Sequence, residues 1–197
     1  MDLEIIAQAF WIIIPAYVAN GCAVLVGGGK PIDFGKKCKD GKRILGDGKT
    51  WRGLLVGTFL GMTVGFALST GAIYIDQWGY GYIGLTDFYR FPYMIVIIFS
   101  ICFGALMGDI SESFFKRRIG RERGEDWIPF DQIDFLLGAL ILSFILAGIL
   151  QVTNQTENNW FSDNLTIWHI LFLLVITPLF HFLGNLLHRM GKAKKTA

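Results

Sequence analysis

Two short polar segments of this 197-residue chain hold nearly all the side chains able to act on a phosphate. The later one reads GDISESFFKRRIGRERGEDWIPFDQIDF from Gly108 to Phe135. Within it Asp109, Glu112, Ser113 and Lys116 follow at offsets of three, four and seven, so a helix would carry them on one face. Asp131 and Asp134, three apart, would share a face of the next helix. Carboxylates clustered without His or Cys suit a hard, oxygen-seeking cation, Mg2+ above all. Basic residues set among them suit a polyphosphate, whose remaining charge Lys or Arg takes up. The same residues have a plainer explanation: Asp131 as a helix N-cap with Asp134 in the first turn, and Lys116–Arg118 as the basic flank of a membrane helix. Spacing alone does not decide between the two.

The earlier segment, PIDFGKKCKDGKRILGDGKTWRG from Pro31 to Gly53, offers a phosphate-binding turn. Gly46-Asp47-Gly48-Lys49-Thr50 looks like the end of a P-loop, but Arg43 stands where that motif needs its first glycine, and an apolar span follows. A glycine-rich turn with Lys49, Thr50 and Arg52 at a helix start can still hold phosphate through backbone N–H groups and the helix dipole.

The elements that position these segments are membrane helices. The chain is 53% hydrophobic and 17% charged, with a mean hydropathy of +0.47; soluble domains carry about 25% charged residues. Residues 5–29, 53–75, 91–108, 135–156 and 164–188 contain no Asp, Glu, Lys or Arg, and each is long enough to span a bilayer. Five such stretches leave too little polar surface to cover a soluble particle. The expectation is an all-α integral membrane protein, a single domain over 1–197. Its five spans fall at roughly 5–26, 53–75, 91–109, 134–153 and 165–187, with functional cytoplasmic loops at 27–52 and 110–133. Seventeen of the eighteen basic residues fall in those two loops and after the fifth span. The positive-inside rule then puts the N-terminus outside and the C-terminus in the cytoplasm. The outer loop's aromatics (Trp78, Tyr80, Tyr82, Phe88, Tyr89), with Trp160 and Phe161, fit a headgroup-level belt.

No Asp, Glu, Lys or Arg sits in the middle of a span, which argues against a pump or coupled transporter. The polar density lies at the cytoplasmic helix ends, reachable by a soluble anion from one side and by lipid from the other. In the second span Gly53, Gly57, Gly61 and Gly65 fall every fourth residue and predict a close helix contact. Cys22, Cys38 and Cys102 have no metal-binding or disulfide pattern.

Ser113-Phe-Phe-Lys116-Arg117, then Ile128-Pro129, then Asp131-Gln-Ile-Asp134 resemble the signature of the phosphatidate cytidylyltransferases, with Gln132 where those enzymes have Arg. The resemblance is closer to their archaeal branch, the CDP-archaeol synthases, whose two loops look like PIDFG…RILGDGKTWRGL and GD…S..KRR.G…….P..DQ.D. It extends over essentially the whole chain.

It implies a Mg2+-dependent cytidylyltransferase of the cell membrane that joins CMP from CTP to an isoprenoid ether-lipid phosphate. By the match Asp131, Asp134, Lys116 and Asp109 are catalytic, and Asp131, Asp134 and Asp109, with Glu112, hold the metal. Lys49, Arg52 and Arg117 hold phosphates, while Asn20, Asp47, Gly48, Thr50 and Ser113 line the nucleotide site. The implied partners are CTP, the lipid phosphate and the bilayer, with no nucleic acid and with a homodimer left open. Two other classes remain. A CDP-alcohol phosphotransferase would use the same membrane face, but its DG-x2-AR-x8-G-x3-D-x3-D signature is absent. A non-catalytic membrane protein or facilitator would lack Mg2+-dependent CTP binding.

Overall fold

The computed structural model describes residues 3–122, 125 and 127–195, with side chains as far as Phe182 apart from that of His181. Residue 123 of the second basic segment and the side chains of the basic C-terminal tail lie outside the described residues. Among the described residues four helices are long and apolar enough to cross a membrane: α1 (Leu3–Leu25), α2 with its distorted continuation (Trp51–Ile83), α3 (Tyr93–Arg118) and α4 (Phe130–Val152). α2 proper ends at Ile75. A short α5 (Trp160–Asn164) precedes α6 (Ile167–Lys195), whose apolar part among the described residues is Ile167–Phe180. Among the described residues there is no strand beyond two isolated bridges, Pro31 with Thr50 and Lys37 with Arg43.

Small residues decide how the helices meet. Lipid is as apolar as Leu, so membrane helices associate by close packing rather than by hydrophobic burial. α1 turns Ala9, Ile12, Ile13, Ala16 and Ala19 inward along one helical stripe. The glycine register of α2 lies against it: a Cβ on Gly57 would fall 2.8 Å from the Ala19 carbonyl oxygen, and one on Gly61 2.7 Å from that of Pro15. Gly65, at the far end of the register, faces Ile98 of α3 instead. Leu55, Phe59, Ile141, Phe144 and Val175 point outward and are exposed. A surface apolar on its lipid side as well as its inner side is what a bilayer requires.

The tightest crossing joins α3 to α4. A Cβ on Gly104 would lie 2.6 Å from the Gly138 carbonyl oxygen, and one on Gly138 2.7 Å from the Gly108 Cα. The backbone of Asp134 therefore rides directly on Gly108, beside Asp109.

Two helix boundaries differ from the expected spans. α3 runs nine residues past 109, and α4 starts at Phe130 rather than 134. Glu112, Ser113, Lys116 and Arg117 thus stand on rigid helix rather than in a loop. At the opposite end of the bundle Trp78, Tyr80 and Tyr82 are exposed as the belt reading requires, but Phe88 and Trp160 are buried. They stack on each other with centroids 5.9 Å apart, and Trp160 donates its indole N–H to Thr86 Oγ1 at 3.1 Å. A buried indole needs such a partner, so these two aromatics close the bundle end instead of facing headgroups.

Candidate active site

The first polar segment folds around Asp33, whose side chain is fully buried. Its carboxylate accepts from the backbone N–H groups of Gly35, Leu45 and Gly46 at 3.0–3.1 Å, and from Nε and a terminal nitrogen of Arg43. Burial pushes this carboxyl up, but the Arg43 guanidinium and the three N–H donors outweigh it and hold it well below the usual carboxylate range. Arg43 reaches on to Asp47 at 2.8 Å. The segment is also clamped to the end of α3: Arg118 meets both Asp40 oxygens at 2.8 Å and the Arg43 carbonyl, and Lys42 donates to the Arg118 carbonyl at 3.3 Å. These bonds turn a glycine-rich stretch into a fixed wall, with Gly46 held at φ +97°, a conformation that glycine adopts without strain.

Opposite that wall, the α3–α4 crossing draws together carboxylates that lie far apart in the chain. Asp109, Glu112 and Asp134 each offer an oxygen within 4.8 Å of the others. Lys49 Nζ sits 2.5 Å from Asp109 Oδ2. Lys116 Nζ sits 2.8 Å from Asp131 Oδ2 and 3.2 Å from Glu112 Oε1. Two ammonium groups therefore face four carboxylates, an excess of two negative charges if all are ionised. Glu112 is buried, and its Oε1 makes no hydrogen bond despite the nearby ammonium; Asp131 Oδ1 is likewise buried without one. Such oxygens are costly to leave unsatisfied. An all-oxygen donor set, a charge excess of two and orphaned lone pairs fit a hard divalent cation.

Two cavities meet at this cluster. A polar one of about 840 Å³ is walled by Gly46, Asp47, Gly48 and Lys49 on one side and by the α3 and α4 side chains on the other. An apolar groove of about 640 Å³ runs down between α3 and α4 from Trp127 and Phe130 to Phe103 and Leu142. Glu112 and Asp134 line both.

A family model described as CarS-like, CDP-archaeol synthase, matches residues 2–195. A CDP-archaeol synthase of Thermococcus onnurineus is 41% identical over 97% of this chain and 96% of its own length. One of Methanocella arvoryzae is 42% identical over 91% and 97% respectively. The chain belongs to the CDP-archaeol synthase family. A solved structure described as an intramembrane enzyme for archaeal membrane lipids biosynthesis superposes with a TM-score of 0.71. It is 31% identical and covers 92% of this chain and 94% of its own.

For a CDP-archaeol synthase family member, most of the expected residues converge. Asp47, Gly48, Lys49, Asp109, Glu112, Ser113, Lys116, Arg117, Asp131 and Asp134 all line the polar cavity. Three do not. Arg52 is exposed outside it. Thr50 caps α2, its side chain accepting from Gly53 N, and so serves the helix that follows the loop. Asn20 stands on α1 one turn before Val24, which does line the cavity, and its Oδ1 is buried without a partner. Asp131 lies outside the three-carboxylate group. It accepts from Lys116 and from the Trp127 N–H at 2.8 Å, and the N-cap of α4 is Pro129, so neither Asp131 nor Asp134 is the cap.

Asp33, Arg43 and Arg118 were not expected to matter, yet they build the wall. Asp33-Phe34-Gly35 did carry a signal, an Asp two residues before a glycine, where its carboxylate bonds its own backbone. Gly104 and Gly108 carried another, the four-residue spacing of small residues that marks a helix crossing.

Proposed function

We propose that this protein transfers CMP from CTP to 2,3-bis-O-(geranylgeranyl)-sn-glycerol 1-phosphate, giving CDP-archaeol and diphosphate, with Mg2+ held by Asp109, Glu112 and Asp134. One observation carries the reading: two carboxylates of the cluster belong at once to a polar cavity and to an apolar groove. A nucleotide triphosphate and a lipid phosphate have incompatible solvents, and only such a junction brings their reacting ends together. The triphosphate lies along the Gly46–Lys49 wall, against Lys116 and Arg117. The isoprenoid chains run down the groove between α3 and α4, leaving the lipid phosphate at Glu112 and Asp134.

A phosphate oxygen of the lipid forms a bond to the α-phosphorus of CTP. The bond from that phosphorus to the oxygen bridging towards the β-phosphorus breaks, and the oxygen leaves with its electron pair in diphosphate. Both reactants are anions, so catalysis is largely alignment and charge neutralisation. The metal supplies neutralisation of phosphate charge and orientation of the two reactants. Lys116 is held in place by Glu112 and Asp131 and presents a fixed cation to the cavity. Arg117, anchored by donating to the Arg121 carbonyl at 2.7 Å, adds a second. Asp131, with one buried oxygen free of hydrogen bonds, borders the same cluster.

The test uses purified protein in detergent with radiolabelled CTP and ether- or ester-linked lipid phosphates. Label is expected to enter the lipid phase only when Mg2+ and a lipid phosphate are both present. Release of CMP from a CDP-lipid, with no label captured from CTP, would instead indicate the phosphotransferase class.

The reading also sets the topology: α6 is the fifth span, the N-terminus is outside, and the polar cavity opens to cytosolic CTP. The basic asymmetry of the loops supports it. An impermeant thiol reagent applied to intact cells is expected to label Gly84→Cys and to spare Gly41→Cys. Labelling of Gly41→Cys from outside would sink both the orientation and the cytosolic supply of CTP.

A further inference from the structure

Lys49 is the one cation at the cluster held by a single carboxylate. Lys116 is buried, stands on α3 and is gripped by Glu112 and Asp131 together. Lys49 reaches only Asp109, and its side chain keeps 21% of its exposure. Two spaces are open to it. With Asp109 it lines the polar cavity, and with Asp109 it also lines a cleft of about 40 Å³ between α1, α2 and α3. The cleft is closed in by Ala23, Leu54 and Leu106 and has room for about a water molecule, not for a substrate.

The backbone at Lys49 does not share this freedom. Its carbonyl accepts from Ile32 N at 2.8 Å, Trp51 N donates to the Lys30 carbonyl at 3.2 Å, and Thr50 caps α2. Movement at this position is therefore a rotation of the four-carbon stem, which Lys has in full.

We propose that Lys49 is the counter-ion of the carboxylate cluster in the metal-free protein, and that it gives up Asp109 when a divalent cation is bound, turning its ammonium to the phosphates in the cavity it already lines. This rests on the metal assignment made above. An ammonium at 2.5 Å from an Asp109 oxygen and a divalent cation on the same carboxylate repel each other at short range in a partly desolvated site. Only one of the two cations can keep Asp109 at full strength. Lys116 is buried and held by two carboxylates, whereas Lys49 is held by one and is more exposed, so Lys49 is the one that leaves.

Binding of metal and of nucleotide then becomes linked through one side chain. Without metal, Lys49 is unavailable to phosphate and competes for the cluster. With metal, it is free to hold the triphosphate. Such coupling is reciprocal: CTP tightens the metal by the factor by which the metal tightens CTP.

The exchange predicts effects of opposite sign from one substitution. Lys49→Met keeps the stem and removes the charge. Without nucleotide it is expected to tighten Mn2+ by about tenfold, because a competitor is gone. With saturating Mn2+ and no lipid acceptor, it is expected to weaken CTP by a similar factor. Lys49→Arg keeps the charge and is expected to bind Mn2+ near the wild-type level.

Mn2+ binding followed by electron paramagnetic resonance on detergent-purified wild type, Lys49→Met, Lys49→Arg and Asp134→Asn separates the outcomes. If the wild type binds Mn2+, Asp134→Asn does not, and Lys49→Met binds no tighter than wild type, the exchange is overturned and the metal site stands. If the wild type binds no better than Asp134→Asn, the metal assignment falls and the exchange with it. Thermal melting guards against misfolding. Lys49→Met is expected to melt lower in EDTA, with its carboxylates uncompensated, and to recover with Mn2+; failure to recover would also count against the exchange.

Discussion

Asp134→Asn is expected to lower the rate of CDP-lipid formation about a thousandfold, roughly 4 kcal/mol of lost transition-state stabilisation, while the protein folds and melts close to wild type. The substitution keeps the shape of the side chain. An Asn oxygen at this position can still accept from Phe135 N, as Asp134 Oδ1 does at 2.7 Å. What it removes is one negative charge from a group of three carboxylates whose oxygens lie within 4.8 Å, and a divalent cation needs that charge. The Mg2+ midpoint of any remaining activity is expected to rise. Asp131→Asn is expected to cost less, about tenfold, because Asp131 acts on Lys116 from outside the three-carboxylate group. Asp163→Asn, at the opposite end of the bundle, serves as the control. Full activity with an unchanged Mg2+ midpoint in Asp134→Asn would remove this residue from the metal site and leave the assignment to Asp109 and Glu112.

The second large effect is on stability. Asp33→Ala leaves three backbone N–H groups without their acceptor and the Arg43 guanidinium with Asp47 alone. Removing one partner of a buried ion pair costs about 3–5 kcal/mol. Arg43 keeps 27% of its side-chain exposure, so water offsets part of the loss and about 3 kcal/mol is the expected figure. The wall of the polar cavity should loosen with it, and CTP affinity should fall.

The pH dependence follows from the direction of the shift. The folded state holds the Asp33 carboxyl below its ordinary value of about 3.9. Its contribution is therefore complete above that value, and is lost as pH falls towards the lowered folded one. Melting curves of wild type and Asp33→Ala should show a constant gap from about pH 5 to pH 7 that narrows below about pH 4. A gap that stayed constant into acid would mean that Asp33 is not held as its geometry implies.

Some of this architecture is a property of the sequence alone. Charge-free stretches of 18 or more residues need no tertiary information to be read as membrane helices, because the bilayer is a uniform solvent that judges each segment by itself. Asp109, Glu112, Ser113 and Lys116 share a face because helical period is local, and the glycines of α2 lie on one stripe for the same reason. Partners across the chain are another matter. That Asp134 joins Asp109 and Glu112 while Asp131 goes to Lys116 depends on the crossing of α3 and α4 at Gly104, Gly108 and Gly138. A change of one turn there would exchange the two aspartates. That Thr50 caps a helix while Lys49 beside it points at Asp109 depends on where the loop is clamped. The clamp consists of Asp33 with Arg43, and Arg118 with Asp40. Phe88 and Tyr82 lie in the same aromatic outer loop, yet one is wholly buried and the other exposed, because Phe88 stacks on Trp160. Periodicity assigns a residue to a face; which face meets which, and in what register, is set by contacts between residues distant in sequence, and those exist only once the helices have packed.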